Sequence, residues 1–292
     1  MSEQGIRNAL SRCPFQILQC DGEGLIGAGT GFFYEHGGQS FLITNWHIIS
    51  GISPSTKTAM HPQGRTPDFL QVKFFTIAAD GIHASSVAQR VEIHDTDGSK
   101  WYEHPDLGPD CDVVALPFAR PTSCPPHFHT PANRLSPERV PVGPGSTAFV
   151  VGYPLALSVG PGLPLLKSGY IASEPNFGVR IGGQLSAVGG LTGAPDLPAF
   201  FLDSQTRQGM SGSPVFTVYT GIWDPQDPYA PPDESGDFRF TDSTNIGQGR
   251  EFVGCYSGRV GASEHQAALG LCWRVDAIDA ICAAKRQGQN PQ

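Results

Sequence analysis

A serine hydroxyl becomes a useful nucleophile when an imidazole takes its proton during attack, and the imidazole needs a buried carboxylate to fix its tautomer. Three segments of this chain supply those groups. Gly209-Met210-Ser211-Gly212-Ser213-Pro214 sets a serine between glycines, Thr44-Asn45-Trp46-His47 ends in histidine, and Asp112 leads the apolar run Val113-Val114-Ala115-Leu116. In chain order they read His, Asp, Ser. The glycines beside Ser211 permit the angles of a sharp turn and leave the N–H groups of Gly209 and Ser211 able to face one oxygen. Two such donors stabilise the oxyanion of a tetrahedral intermediate, each by about 3 kcal/mol.

Taken singly, each segment has an ordinary reading. Gly-x-Ser-Gly-Ser-Pro is also a turn of small residues, His47 is one of nine histidines, and Asp112 could be a turn or capping residue with Asp110 as its competitor. A nucleophile elbow of the Gly-x-Ser-x-Gly kind is excluded. Ser213 takes the place of the second glycine, the acid and most histidines precede the serine, and helices do not alternate with strands.

The elements that must hold these groups are strands. Apolar or alternating runs at 15–18, 29–34, 41–45, 69–77, 87–93 and 113–118 predict a first block. Runs at 147–151, 165–172, 178–181, 199–202, 213–218, 252–256 and 269–274 predict a second. A connection rich in proline, 121–145, separates them. The chain is therefore read as all-β, two packed antiparallel barrels that together make one domain. Residues 1–130 form the N-terminal barrel with His47 and Asp112, and 131–292 the C-terminal barrel with Ser211. Val275, Ile278, Ile281 and Cys282 recur at helical spacing and predict a short C-terminal helix, after which 287–292 should fray. Residues 94–110 and 221–250 read as polar insertions.

Together the three segments resemble the trypsin-like serine peptidases of chymotrypsin fold, especially the bacterial branch that includes the HtrA/Deg proteases. GTGFFY and FLITNWHII around His47, DVVALPF from Asp112 and QGMSGSPVF around Ser211 carry the resemblance, with VVGYPLAL, KSGYIAS and FVGCYSGRVG in support. It implies two six-stranded barrels and a serine endopeptidase acting through an acyl-enzyme. Ser211 would attack, His47 would serve as base and then acid, Asp112 would orient it, and the N–H groups of Gly209 and Ser211 would form the oxyanion hole. It also implies that Ser257, Gly258 and Arg259 pair with substrate backbone, and that Gly270 and Cys272 line the pocket for P1, the substrate residue preceding the cleaved bond. The base of that pocket would be Gln205, giving a neutral P1, or Asp203, giving a basic one, which is preferred here. Met210 stands where secreted relatives carry the aspartate that captures a freed N-terminus, so activation by that route is not expected.

Other classes fit less well. The formal charge of −8, without a basic stripe, argues against nucleic acid and anionic membranes as partners. No export signal or membrane-length apolar run is visible, and seven cysteines without a dense framework favour reduced thiols, so a cytoplasmic setting is expected. Cys124, His127 and His129 have metal-ligand types but lack a fourth ligand, so no metal or cofactor is assigned. The partner expected is a protein or peptide substrate, including one specific partner protein; the oligomeric state is left open. A cytosolic protease must be restrained, by a disordered loop at 208–210 or by a partner on 221–250. The rival readings are a silent module of the same fold that captures peptides, and an esterase-like acyl hydrolase.

Overall fold

The computed structural model describes residues 6, 8–77, 84–125, 128–136, 138–180, 196–204, 206–231, 233, 235–260 and 269–289. The first half contributes β1 (Phe15–Asp21), β2 (Gly24–His36), β3 (Gln39–Thr44), β4 (Phe69–Ile77), β5 (Ala84–Glu92), β6 (His94–Asp95), β7 (Gly98–Ser99), β8 (Tyr102–Glu103) and β9 (Val114–Pro117). The second contributes β10 (Thr147–Gly152), β11 (Leu165–Ile171), β12 (Ala199–Asp203), β13 (Pro214–Trp223), β14 (Asn245–Arg259) and β15 (Leu269–Arg274). The helices are α1 (Trp46–Ser50), α2 (Ala132–Leu135) and α3 (Val275–Ala284), and a last strand, β16 (Arg286–Gln287), follows α3. The protein is mostly β.

The second half closes into a six-stranded barrel, β10-β11-β12-β15-β14-β13. The first half departs from the expected six strands. It is an eight-stranded sheet, β16-β8-β9-β3-β2-β1-β4-β5, with β16 and β5 at its edges. The extra strands come from two sources that composition conceals. The polar stretch 94–110 contains β8, which pairs with β9, while β16 pairs with β8 through Arg286–Glu103 and Gln287–Tyr102. The C-terminal segment is thus partly tied down rather than frayed, and the Gly288 N–H also donates to the Trp101 carbonyl at 2.9 Å.

Another expectation needs correcting at 221–250. β13 and β14 continue their ladder as far as Trp223 and Asn245, so the excursion proper is only 224–244. Asp224 fastens its base, accepting from the Thr241 hydroxyl at 2.6 Å and the Ser243 hydroxyl at 2.7 Å.

Each half has its own apolar core, and a third cluster joins them. Phe32, Phe41 and Ile43 from the first sheet meet Val151, Phe216, Phe252 and Trp273 from the barrel, with Ile278 and Ile281 of α3. The helix buries the predicted face and reaches the first half, where the Tyr34 hydroxyl donates to Asp279 at 2.7 Å.

Candidate active site

Strand pairing brings His47 to Asp112. β3 and β9 are antiparallel with Thr44 opposite Val114, so the residues just past the end of β3 lie beside those just before β9. α1 starts at once after Asn45 and stops at Gly51, whose left-handed φ of 72° lets its N–H donate to the His47 carbonyl at 3.0 Å. His47 is thereby fixed on one tight turn. Its Nδ1 lies 2.7 Å from Asp112 Oδ2, and its backbone N–H donates to Oδ1 at 3.0 Å. Asn45 Nδ2 donates to the Asp112 carbonyl at 2.6 Å, and the Ser257 hydroxyl donates to Oδ2 at 2.5 Å. Both His47 and Asp112 are buried, so these bonds act where water screens little. A carboxylate held by three donors keeps the imidazole in one orientation, with Nε2 as the proton-accepting nitrogen.

Ser211 sits just before β13, and Thr30 of β2 fixes its segment from the other half of the molecule. The Thr30 N–H donates to the Ser211 carbonyl at 2.8 Å, the Thr30 hydroxyl to the Gly209 carbonyl at 2.9 Å, and the Thr44 hydroxyl to the Thr30 carbonyl at 2.8 Å. From the barrel side, the Gly212 N–H donates to the Tyr256 carbonyl at 2.9 Å. Gly209 and Gly212 have φ of 90° and 82°, angles that disfavour any side chain. A Cβ on Gly209 would collide with the Tyr153 carbonyl, and one on Gly212 with that of Thr30. Among the described residues, the Gly209 and Ser211 N–H groups donate to no protein acceptor, and Ser211 makes no side-chain hydrogen bond. Ser211, Gly209 and His47 line one cavity of about 160 Å³, together with Gly27, Ala28, Met60 and His61. In the segment 208–210, Met210 is fully buried in the barrel core with Val215 and Tyr256.

A buried imidazole–carboxylate pair that shares a cavity with a serine and two unused N–H groups is an arrangement suited to acyl transfer. A family model described as the trypsin-like peptidase domain matches residues 29–221, which include all three groups. The chain belongs to the trypsin-like peptidase family. Among solved structures it is similar to the Rv3671c protease from M. tuberculosis in its active form, with 16% identity over 97% of this chain and 88% of that one and a TM-score of 0.47. It is also similar to the serine endoprotease from Yersinia pestis, with 13% identity over 94% of this chain and 64% of that one and a TM-score of 0.44. No curated protein matches it.

The remaining expected site residues of this trypsin-like peptidase are scattered in their settings. Asp203 ends β12 with its side chain exposed, on the face opposite to buried Leu202 and Ser204. Strand alternation therefore turns its carboxylate away from the barrel core. Gln205 lies outside the described residues. Ser257 touches Asp112 through its side chain, a contact that the strand-pairing expectation did not include. Gly258 is partly exposed with open space at its Cα, Arg259 is exposed, and Gly270 is buried against the Tyr256 ring.

Several positioning residues of the peptidase escaped the sequence reading. Thr30 and Thr44 lie inside the very motifs that were singled out, GTGFFY and FLITNWHII, yet only the contact between the halves gives their hydroxyls a role. Behind α1, Glu103 is fully buried and accepts from the Trp46 and Trp101 indoles at 3.0 and 3.1 Å. As for the cysteine–histidine segment, His127 lies outside the described residues. His129 is a core residue: its Nε2 accepts the Phe75 N–H at 2.8 Å, and burial pushes its pKa down to about 3. All seven cysteines are free and buried. Among the described residues, no helix is long and apolar enough to cross a membrane.

Proposed function

We propose that the protein is a serine endopeptidase. The observation that carries this reading is the Asp112–His47 pair opening on the same cavity as Ser211 and the unused Gly209 and Ser211 N–H groups. Ser211 Oγ attacks the scissile carbonyl while His47 Nε2 takes its proton. The carbonyl oxygen becomes an oxyanion between the two N–H groups. His47 then gives the proton to the leaving amine, the Ser211 ester remains, and water activated by His47 releases the acid. Asp112 stabilises the imidazolium in both halves of the cycle without taking its proton.

The reading includes a selective, restrained activity in the cytoplasm on a protein substrate, including a specific partner. Full constitutive digestion of casein by the isolated chain overturns that part of it. The chemistry itself is tested with a fluorophosphonate probe. Wild type is expected to label at Ser211, Ser211→Ala not at all, and His47→Ala far more slowly. Labelling that survives Ser211→Ala overturns the mechanism, and an unlabelled wild type points to a silent peptide-capturing module. Turnover of aryl esters without any of peptides points to an esterase.

A further inference from the structure

We infer that the peptidase accepts only a small side chain at P1, of the size of glycine, alanine or serine, because the Tyr256 ring fills the space that a larger one would enter. This inference rests on the serine endopeptidase reading and adds the substrate class to it.

The trypsin-like resemblance implies where P1 enters: beside Gly270, where Ser257, Gly258 and Arg259 pair with the substrate backbone. The carbonyl oxygen of a bound substrate faces the Gly209 and Ser211 N–H groups, and its leaving group lies on the side of His47, in the cavity lined by Gly27, Ala28 and Met60. The acyl side is then expected to run the other way, between the chain leading to Ser211 and the end of β14. Arg259 pairs with Gly270 of β15, and Thr206 of the segment before Ser211 is joined to Tyr256, so these residues neighbour that place.

Tyr256 lies across this space. Its hydroxyl is hydrogen-bonded to that of Thr206, and the two residues are 2% and 1% exposed. On the opposite side the ring lies so close to Gly270 that a Cβ there would approach Cε2 to 2.5 Å and Cζ to 3.3 Å. The ring thus spans from the segment before Ser211 to β15. It cannot swing aside easily. Its backbone N–H donates to the Ser213 carbonyl, its carbonyl accepts from Gly212, and its body packs with Met210 and Cys272 in the barrel core. An aromatic or long aliphatic P1 group would have to displace a buried ring and leave the Thr206 hydroxyl without its partner, a double penalty. A methyl or hydroxymethyl group does neither. A cationic P1 gains nothing here, because both polar groups are neutral hydroxyls; burial holds the Tyr256 phenol up to about 12.

The test uses peptidyl diaryl phosphonates that differ only at P1 (Ala, Leu, Phe, Lys), with Ser211 modification followed by intact mass. Wild type is expected to react with the Ala probe at least tenfold faster than with any of the others. Tyr256→Ala is expected to raise the Phe and Leu rates relative to Ala by at least tenfold, whereas Tyr256→Phe, which keeps the ring, retains the preference for Ala. A wild type that reacts faster with Lys, Phe or Leu overturns the inference, and this arm requires no variant to fold. An unchanged Phe-to-Ala ratio in folded Tyr256→Ala overturns it as well. The fluorophosphonate, which carries no P1 side chain, separates the two levels. If it labels Ser211 while the phosphonates show no preference for Ala, only the inference fails. If no reagent labels Ser211, the endopeptidase reading fails and the inference with it.

Discussion

The Leu155 N–H donates to the Gln208 carbonyl at 2.6 Å, and this bond sets the direction of the peptide that follows. Because a trans peptide points its N–H opposite to its carbonyl, anchoring the Gln208 carbonyl on Leu155 turns the Gly209 N–H away from Leu155. Leu155 and Ala156 hold left-handed angles, with φ of 53° and 58°, conformations that cost non-glycine residues roughly 1–2 kcal/mol each. The turn is itself tied to the first half, since Gln16 Nε2 donates to the Ala156 carbonyl at 3.0 Å. Strain in a turn outside the candidate site thus accompanies the anchoring of the peptide before Gly209.

Gly209→Ala should break that arrangement. A Cβ there meets the Tyr153 carbonyl at a backbone angle that alanine disfavours. The expected outcome is a fall in fluorophosphonate labelling of about a hundredfold or more, the usual effect of losing one oxyanion donor. Circular dichroism should still report a folded β protein.

Asp112→Asn should lower labelling by about 10³–10⁴-fold, because an amide in this position favours the wrong imidazole tautomer. Ser257→Ala is the milder companion. It removes one of the bonds to Oδ2 and leaves the Asp112–His47 contact, so about a tenfold loss is expected, in keeping with one hydrogen bond to a charged group. Equal effects of the two changes would show that Ser257 does more than steady the carboxylate.

Met210 gives the loop an apolar anchor in the barrel core. Met210→Leu is nearly volume-conserving and should keep the labelling rate while costing less than about 1.5 kcal/mol. Met210→Asp places an unpaired carboxylate in a fully buried site and should abolish labelling, with a large drop in melting temperature. Wild-type labelling by Met210→Asp would mean that the loop needs no anchor at all.

His129 makes stability depend on pH. Its folded pKa of about 3 lies below the ordinary value of 6.5, so between these limits the unfolded chain binds a proton that the folded chain excludes. Stability should therefore rise with pH through this window and fall as pH is lowered. Going from pH 7 to pH 5 should cost roughly 2 kcal/mol from this group alone. Urea titrations at the two pH values should show a smaller loss for His129→Gln than for wild type, by about that amount.

The thiols offer a simple check on packing. All seven are buried, and burial pushes Cys111, Cys255 and Cys272 well above the usual thiol range. At pH 8 the native protein should react negligibly with a chromogenic disulfide reagent within minutes, and all seven should react once it is denatured.

What could be read from the sequence follows a physical division. Alternation and short apolar runs marked the main strands, since burial of one face leaves a local imprint. His47, Asp112 and Ser211 were legible because their neighbours form tight turns with few acceptable residues. The Tyr256–Thr206 bond, the Ser257 contact with Asp112 and the role of Thr30 were not legible, because each arises from register between distant strands. The exposure of Asp203 was not legible for the same reason: which face of β12 it occupies is decided by a pleat that sequence spacing from Ser211 does not reveal. β16 is two polar residues long and leaves no periodic signal at all.

That short strand has a bearing on when the protein comes into being. Arg286 and Gln287 complete the edge of a sheet otherwise built from residues before 118, and α3 supplies Ile278 and Ile281 to the cluster where the halves meet. During synthesis, the segments bearing His47, Asp112 and Ser211 leave the ribosome well before these parts do. The sheet edge and the cluster between the halves are completed only when synthesis has passed residue 287, so a ribosome-bound fragment carries every reactive group before α3 has packed where the halves meet.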